Sequence, residues 1–180
     1  MTGSEHTVLI VLRGNSGSGK SSIAAELRAR CGRGKLALVG QDNLRRTVLQ
    51  ERDTDGCASI GLIDTVARYA LDHGFHVVVE GILTAARYGP MLGRLAADHR
   101  GRTLLYYLDV DLAETLRRHS LRPQAAEFGS EEMTGWYVGG DLLPGGAEQV
   151  VGEDNTLEQT VARILADAGL TPPASGAGEP

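Results

Sequence analysis

The sequence predicts an α/β domain in which a parallel β-sheet is covered by helices on both faces. Apolar runs of strand length alternate along the chain with segments whose apolar residues recur at helical spacing, the pattern of fully buried strands joined by crossover helices. The first run is followed at once by a glycine-rich stretch and then by a helical pattern, a strand–loop–helix order. A chain of 180 residues suffices for one domain with a sizeable core and is too short for a second.

Taken in order, Thr7 to Leu12 reads as a buried strand, and Ile23, Leu27 and Cys31 mark one face of the helix after the glycine-rich stretch. Lys35 to Val39 and Phe75 to Glu80 are the next strands, with Ile60, Ile63, Ala67 and Leu71 tracing a helical stripe between them. Met91, Leu92, Leu95 and Ala96 form another stripe, expected to begin just after Pro90. Thr103 to Asp109 follows as the fourth strand, then a short helix that Asp111 and Glu114 open as a capping box. Glu148 to Val151 is the fifth strand, and Thr156 with Gln159 opens a last helix that Gly169 closes. Residues 1–170 are thus expected to form one domain. Thr171 to Pro180, with three prolines, two glycines and no large apolar side chain, reads as a disordered tail. Residues 121–146, rich in glycine and bounded by Pro123 and Pro144, read as a small movable lid.

The glycine-rich stretch is Gly14-Asn15-Ser16-Gly17-Ser18-Gly19-Lys20-Ser21, a complete G-x-x-x-x-G-K-S phosphate loop, with Ser22 next in the helix. A triphosphate needs many donors close together, and a glycine-rich turn lets successive backbone N–H groups converge on its oxygens while the helix adds its positive dipole end. Lys20 is placed to reach the β- and γ-phosphates, and the Ser21 hydroxyl to ligate the Mg²⁺ that accompanies a nucleotide. The expected ligand is a nucleoside triphosphate with Mg²⁺.

A net charge of −5 and a pI near 5.5 provide no broad basic surface for a nucleic-acid polymer. Cys31 and Cys57 are too few for a disulfide framework or a zinc site, and the five scattered histidines form no H-E-x-x-H pattern. No apolar stretch approaches the length of a membrane span, and residues 1–6 lack the features of a signal peptide. A cytoplasmic protein without a membrane partner is expected. Oligomeric state leaves no signal in the sequence.

Further polar residues fall at the carboxyl ends of the strands, the edge where open α/β sheets bind ligands. Asp42 follows the second strand and is the candidate base for a substrate hydroxyl, with Arg45 one turn later as candidate substrate clamp. Glu80 ends the third strand, where it can bind a metal-bound water or the substrate's hydroxyls. Arg117, Arg118 and Arg122, with His119, cluster at the entrance to the lid segment. An arginine arriving there stabilises the charge that phosphoryl transfer spreads over the equatorial oxygens, so at least one of Arg117, Arg118 and Arg122 is expected to be catalytic.

With these features in place, the chain resembles P-loop kinases of the nucleoside-monophosphate-kinase-like superfold. The D-x-x-R of Asp42 and Arg45 is similar to that of adenylyl-sulfate kinase, chloramphenicol phosphotransferase and polynucleotide kinase, and the strand ending in Glu80-Gly81 resembles that of zeta-toxin-type kinases. The resemblance spans about Thr7 to Gly169 and is pattern-level outside the phosphate loop. It implies a three-layer P-loop NTPase fold with strand order 2-3-1-4-5. It also implies an Asp42 base or hydroxyl ligand, phosphate binding by Lys20, and closure of Arg117 or Arg118 over the γ-phosphate. The expected activity is ATP-dependent phosphorylation of a hydroxyl on a small molecule such as a nucleoside, sugar, nucleotide-sugar or antibiotic. A nucleoside-monophosphate kinase, with Arg45 and Arg87 on the acceptor's phosphate, is the second reading. A regulatory nucleotide switch is opposed by the absence of N-K-x-D and of D-x-x-G after the third strand.

Overall fold

A computed structural model describes residues 1–120 and 129–170. Five strands, β1 (Val8–Gly14), β2 (Leu36–Gly40), β3 (His76–Gly81), β4 (Arg102–Asp109) and β5 (Gln149–Gly152), form one sheet of order β2-β3-β1-β4-β5. Every pairing is parallel. The helices are α1 (Lys20–Cys31), α2 (Ala58–Asp72), α3 (Ala85–Asp98), α4 (Leu112–Ser120), α5 (Ser130–Trp136) and α6 (Leu157–Ala168). The strands lie within two residues of their expected bounds.

Side-chain parity divides the sheet between two cores. Leu9 and Val11 of β1, with Val77 and Val79 of β3, pack against Ile63, Leu71, Leu92 and Leu95 of α2 and α3. Val8, Ile10 and Leu12, with Val78, pack on the opposite face against Ile23 and Leu27 of α1 and Ile164 and Leu165 of α6. Burial on both faces explains why these strands are unbroken aliphatic runs rather than alternating ones.

The last helix starts and stops as its sequence demands. Thr156 Oγ1 accepts from Gln159 N, Gln159 Oε1 accepts from Thr156 N, and Gly169 adopts the left-handed conformation at φ 66°. The box at α4 is half formed: Asp111 Oδ1 accepts from Glu114 N at 2.7 Å, but the Glu114 carboxylate turns to Arg117 and Arg118. Helix α3 departs from expectation by starting at Ala85, with Pro90 inside it. One backbone donor is missing there, yet Tyr88 ahead of the proline is fully buried along with Met91, Leu92 and Leu95, so packing keeps the turn helical. The expected tail at 171–180 and residues 121–128 of the expected lid lie outside the described residues.

Candidate functional site

The phosphate loop joins β1 to α1 at the carboxyl edge of the sheet. Gly19 takes φ 104° at the N-cap of α1, a region that L side chains rarely enter. Gly17, at φ 82°, brings the backbone so near α4 that a Cβ would lie 2.8 Å from the Thr115 carbonyl oxygen. Within this turn Lys20 is buried, and its Nζ donates to Asn15 O at 2.7 Å and to Ser18 Oγ at 3.2 Å. The Asn15 side chain turns away from the loop: its amide donates to Val138 O at 2.9 Å and its carbonyl accepts from Val138 N at 3.0 Å. That reciprocal pair ties the loop to the chain beyond α5.

A cleft of about 700 Å³ opens over the loop and gathers Ser16, Gly17, Gly19, Lys20, Ser21, Ser22, Asp42, Arg46, Glu80, His119 and Trp136 along its walls. Glu80 shares the side-chain parity of Val78 and so faces α1, where Ser21 Oγ donates to its Oε2 at 3.1 Å. Burial pushes the Glu80 carboxyl above its ordinary range and neighbouring Asp42 adds to the rise, while Lys20 and the Ser21 hydroxyl pull it down. A hydroxyl and a desolvated carboxylate side by side are hard oxygen donors. With phosphate oxygens and water they fit Mg²⁺, which asks only one or two ligands of a protein at such sites.

Asp42 stands at the start of a short π-helical turn, Asn43–Val48, with its carboxylate largely exposed beside Arg45 Nη2 at 3.0 Å and Arg46 Nε at 3.4 Å. The π geometry is closed by Leu49 N donating to Leu44 O at 3.0 Å. Arg46 faces the cleft. Arg45 lies back from it, donating to Glu51 O at 3.2 Å, and its buried Nε has no hydrogen-bond partner among the described residues. Arg87 is held by Asp53 at 3.0 Å and Asp55 at 3.1 Å.

The two arginines of α4 separate in space. Arg118 Nε pairs with Glu114 at 2.6 Å, its Nη1 donates to Ser18 O at 3.3 Å and its Nη2 to Glu153 O at 3.4 Å, so it spans the phosphate loop and the loop after β5. It lines a second hollow of about 360 Å³ with Leu108, Val110, Val151, Asn155 and Leu157, adjoining Gly19 and Ser22. Arg117 pairs with Glu114 at 2.6 Å on the exposed side of α4 and lines neither cavity. Arg122 lies outside the described residues.

A family model described as an AAA domain matches residues 9–134. The chain belongs to that AAA domain family. Among solved structures, the Mycobacterium tuberculosis APS kinase in complex with AMPPNP and APS is similar at 21% identity and a TM-score of 0.69, covering 93% of this chain and 98% of that one. A gluconokinase from Sinorhizobium meliloti 1021 is similar at 20% identity and a TM-score of 0.59, covering 93% of this chain and 92% of that one. The Deinococcus radiodurans tunicamycin resistance protein is similar at 17% identity and a TM-score of 0.61, covering 92% of this chain and 98% of that one. No curated protein matches this chain in sequence. This AAA domain protein has the fold of the P-loop kinases that its sequence resembles, with the strand order expected from that resemblance. No helix among the described residues is long and apolar enough to cross a membrane.

One group next to the site is absent from the sequence reading. Arg13, the residue before the phosphate loop, is fully buried. Its Nη1 donates to both oxygens of Glu148 at 2.8 and 3.0 Å, its Nη2 to Asp141 Oδ2 at 2.8 Å, and its Nε to Leu83 O at 2.8 Å. Asp141 Oδ2 also accepts from Ala85 N at the start of α3 at 2.8 Å. The signal lay in parity: an arginine at a core-facing position of an aliphatic strand must find buried carboxylates.

Proposed function

We propose that this protein is an ATP-dependent kinase that transfers the γ-phosphoryl group to a hydroxyl of a small molecule. The observation that carries the reading is that Lys20, Ser21, Glu80 and Asp42, arriving from three different strand ends, line one cleft over the phosphate loop. Lys20 and the loop N–H groups bind and orient the donor phosphates. Ser21 and Glu80 would hold Mg²⁺, which when bound would neutralise charge on the donor phosphates. Asp42 takes the proton of the acceptor hydroxyl as its oxygen bonds to the γ-phosphorus and the bond to the β,γ-bridging oxygen breaks; ADP and a phosphate ester leave. Arg45 and Arg46 flank its carboxylate at 3.0 and 3.4 Å.

Arg118 is the arginine of α4 best placed to act on the nucleotide, since it touches the phosphate loop and the hollow that suits a nucleobase. A catalytic part for Arg117 would require the side chain to leave Glu114 and swing towards the cleft. The hydroxyl acceptor is favoured over a nucleoside monophosphate by the partners of Arg45 and Arg87, both of which are engaged by carboxylates.

The reading is tested by transfer of labelled γ-phosphate from ATP to a panel of nucleosides, nucleoside monophosphates, sugars, nucleotide-sugars and antibiotics, with Asp42→Asn in parallel. Labelling of one hydroxyl acceptor, lost by about 10²-fold or more in the variant, is the expected result. Transfer to a monophosphate that Asp42→Asn leaves intact would establish the second reading in its place.

A further inference from the structure

Two glycines let the ends of β2 and β3 interlock. The register sets Gly40 opposite Glu80, and the Glu80 carboxylate lies over Gly40, where a Cβ would come within 3.0 Å of its Oε1. In return the Gln41 side chain lies over Gly81, and a Cβ at 81 would overlap it. Gln41 is buried, and its Oε1 accepts from Leu83 N at 3.1 Å while its Nε2 donates to Asp53 Oδ2 at 3.4 Å. The candidate cation ligand is therefore part of a reciprocal cross-strand contact, and the candidate base is the residue that follows Gln41 in it.

Leu83 is the strained point of this assembly. It is fully buried and has φ 44°, a left-handed conformation that costs a branched side chain energy and persists only where its surroundings over-determine it. Both of its backbone polar groups are captured. Gln41 receives the N–H, and Arg13, itself locked by Glu148 and Asp141, donates to the carbonyl. Without the Gln41 contact, a buried N–H would be left without a partner in a residue already disfavoured, and the turn following Glu80 would relax.

We propose that Gln41 is a positioning residue: with Arg13 it clamps Leu83 in its left-handed turn, and so holds Glu80 beside Ser21 for the metal and at a fixed distance from Asp42. The inference rests on the kinase reading, because it assigns Glu80 to the cation that accompanies the nucleotide. Partners that orient a ligating carboxylate change metal affinity by about 10–100-fold when removed, so the clamp acts on Mg²⁺ more than on the nucleotide itself.

The test is titration of Mg²⁺ into the full-length protein saturated with AMPPNP, followed by calorimetry and by the fluorescence of Trp136, the single tryptophan, which lines the cleft. In Gln41→Met, which keeps the bulk over Gly81, the apparent Mg²⁺ affinity is expected to fall about 10–100-fold. AMPPNP affinity without Mg²⁺ should stay within about threefold of the unmodified protein, less than the change of roughly 1.4 kcal/mol that makes a factor of ten. Unchanged Mg²⁺ affinity would overturn the proposal, as would an equal loss of AMPPNP affinity with and without Mg²⁺, the mark of a merely structural residue. Gln41→Glu combined with Asp53→Asn, which keeps an oxygen for the Leu83 N–H and turns an amide donor on the new carboxylate, is expected to retain Mg²⁺ affinity and serves if the methionine variant does not fold; a loss there as large as 10-fold also overturns the clamp. If the unmodified protein fails to bind AMPPNP, or Mg²⁺ adds nothing to its binding, the kinase reading itself falls.

Discussion

Replacing Arg13 by methionine should destabilise the fold more than any surface charge change, and the cost can be worked from its surroundings. The guanidinium is fully buried, and of its two acidic partners Glu148 is 2% exposed and Asp141 19%. Methionine fills most of the volume, so little cavity is made and the loss is electrostatic. It leaves one carboxylate buried without a counter-charge and a second poorly solvated. It also strips the Leu83 carbonyl of its donor. Removing one member of a buried pair costs about 3–5 kcal/mol, and each kcal/mol lowers Tm by roughly 2–4 °C in a domain of this size. The expected fall is about 6–20 °C by calorimetry at neutral pH. Most of it comes from the orphaned acid, so Arg13→Met combined with Glu148→Gln should be more stable than Arg13→Met alone, because a neutral amide costs less to bury than an ion. Two results would refute the reasoning: a fall below about 3 °C, or a double variant no more stable than the single one. Either would mean that water reaches these carboxylates.

Glu80→Gln should raise the stability of the nucleotide-free protein near neutral pH while removing the Mg²⁺ dependence of AMPPNP binding. Burial holds the Glu80 carboxyl above its ordinary 4.5, so the folded state binds the extra proton and stability falls as pH rises from 4.5 through the raised value; the glutamine variant should lack that fall in urea titrations run across this range. His76 and His99 act in the opposite sense. Burial lowers both below 6.5, so the unfolded chain takes up protons first and stability is lost as pH drops beneath 6.5. His99 sits between Thr7 Oγ1 at 3.0 Å and Thr103 Oγ1 at 2.9 Å, and His99→Gln should flatten that slope in the same titrations; an unchanged slope would assign it elsewhere. Arg118→Ala should weaken AMPPNP binding about tenfold, the equivalent of one charge-assisted hydrogen bond, and Arg117→Ala by less than about twofold, since an exposed i,i+3 pair contributes little. The reverse order in a binding titration would exchange their roles.

The sequence disclosed the sheet because its strands are buried on both faces and so stand out as aliphatic runs, and it disclosed the phosphate loop because a glycine-rich turn has few alternatives. It was less informative wherever a residue's task depends on a partner remote in the chain. Pro90 was legible as a helix start and stands inside α3 because Tyr88, two residues earlier, is buried by residues far away in sequence. Asp42 and Glu80 were visible as carboxylates at strand ends. The packing of Glu80 over Gly40 and of Gln41 over Gly81 was not, since it requires the β2–β3 register. Within the segment read as a movable lid, the chain from Tyr137 is tied down: Val138 pairs with Asn15, Tyr137 Oη donates to Val110 O at 3.2 Å, and Asp141 joins Arg13. Glycine and proline content reports a lack of regular structure, and says nothing of the tethers that Arg13, Asn15 and the Val110 carbonyl provide.

Those tethers bear on how the site can work. The residues ending β1 and β3 divide by parity: Arg13 turns into the α2/α3 face and is consumed in an ionic lock, while Glu80 turns towards α1 and the cleft. The lock supplies what the cleft lacks. Glu80 is desolvated beside another acid, Leu83 is strained, and Gly17 and Gly19 are held in conformations that most residues avoid, so the edge that binds phosphate is intrinsically unstable. Arg13 meets that edge from behind at Leu83, at the start of α3 through Asp141, and at the start of β5 through Glu148. A fold that places strained, charged groups at one sheet edge must over-determine their backbone from the other side, and here a single buried guanidinium, one residue before the phosphate loop, contacts three of the segments that need it.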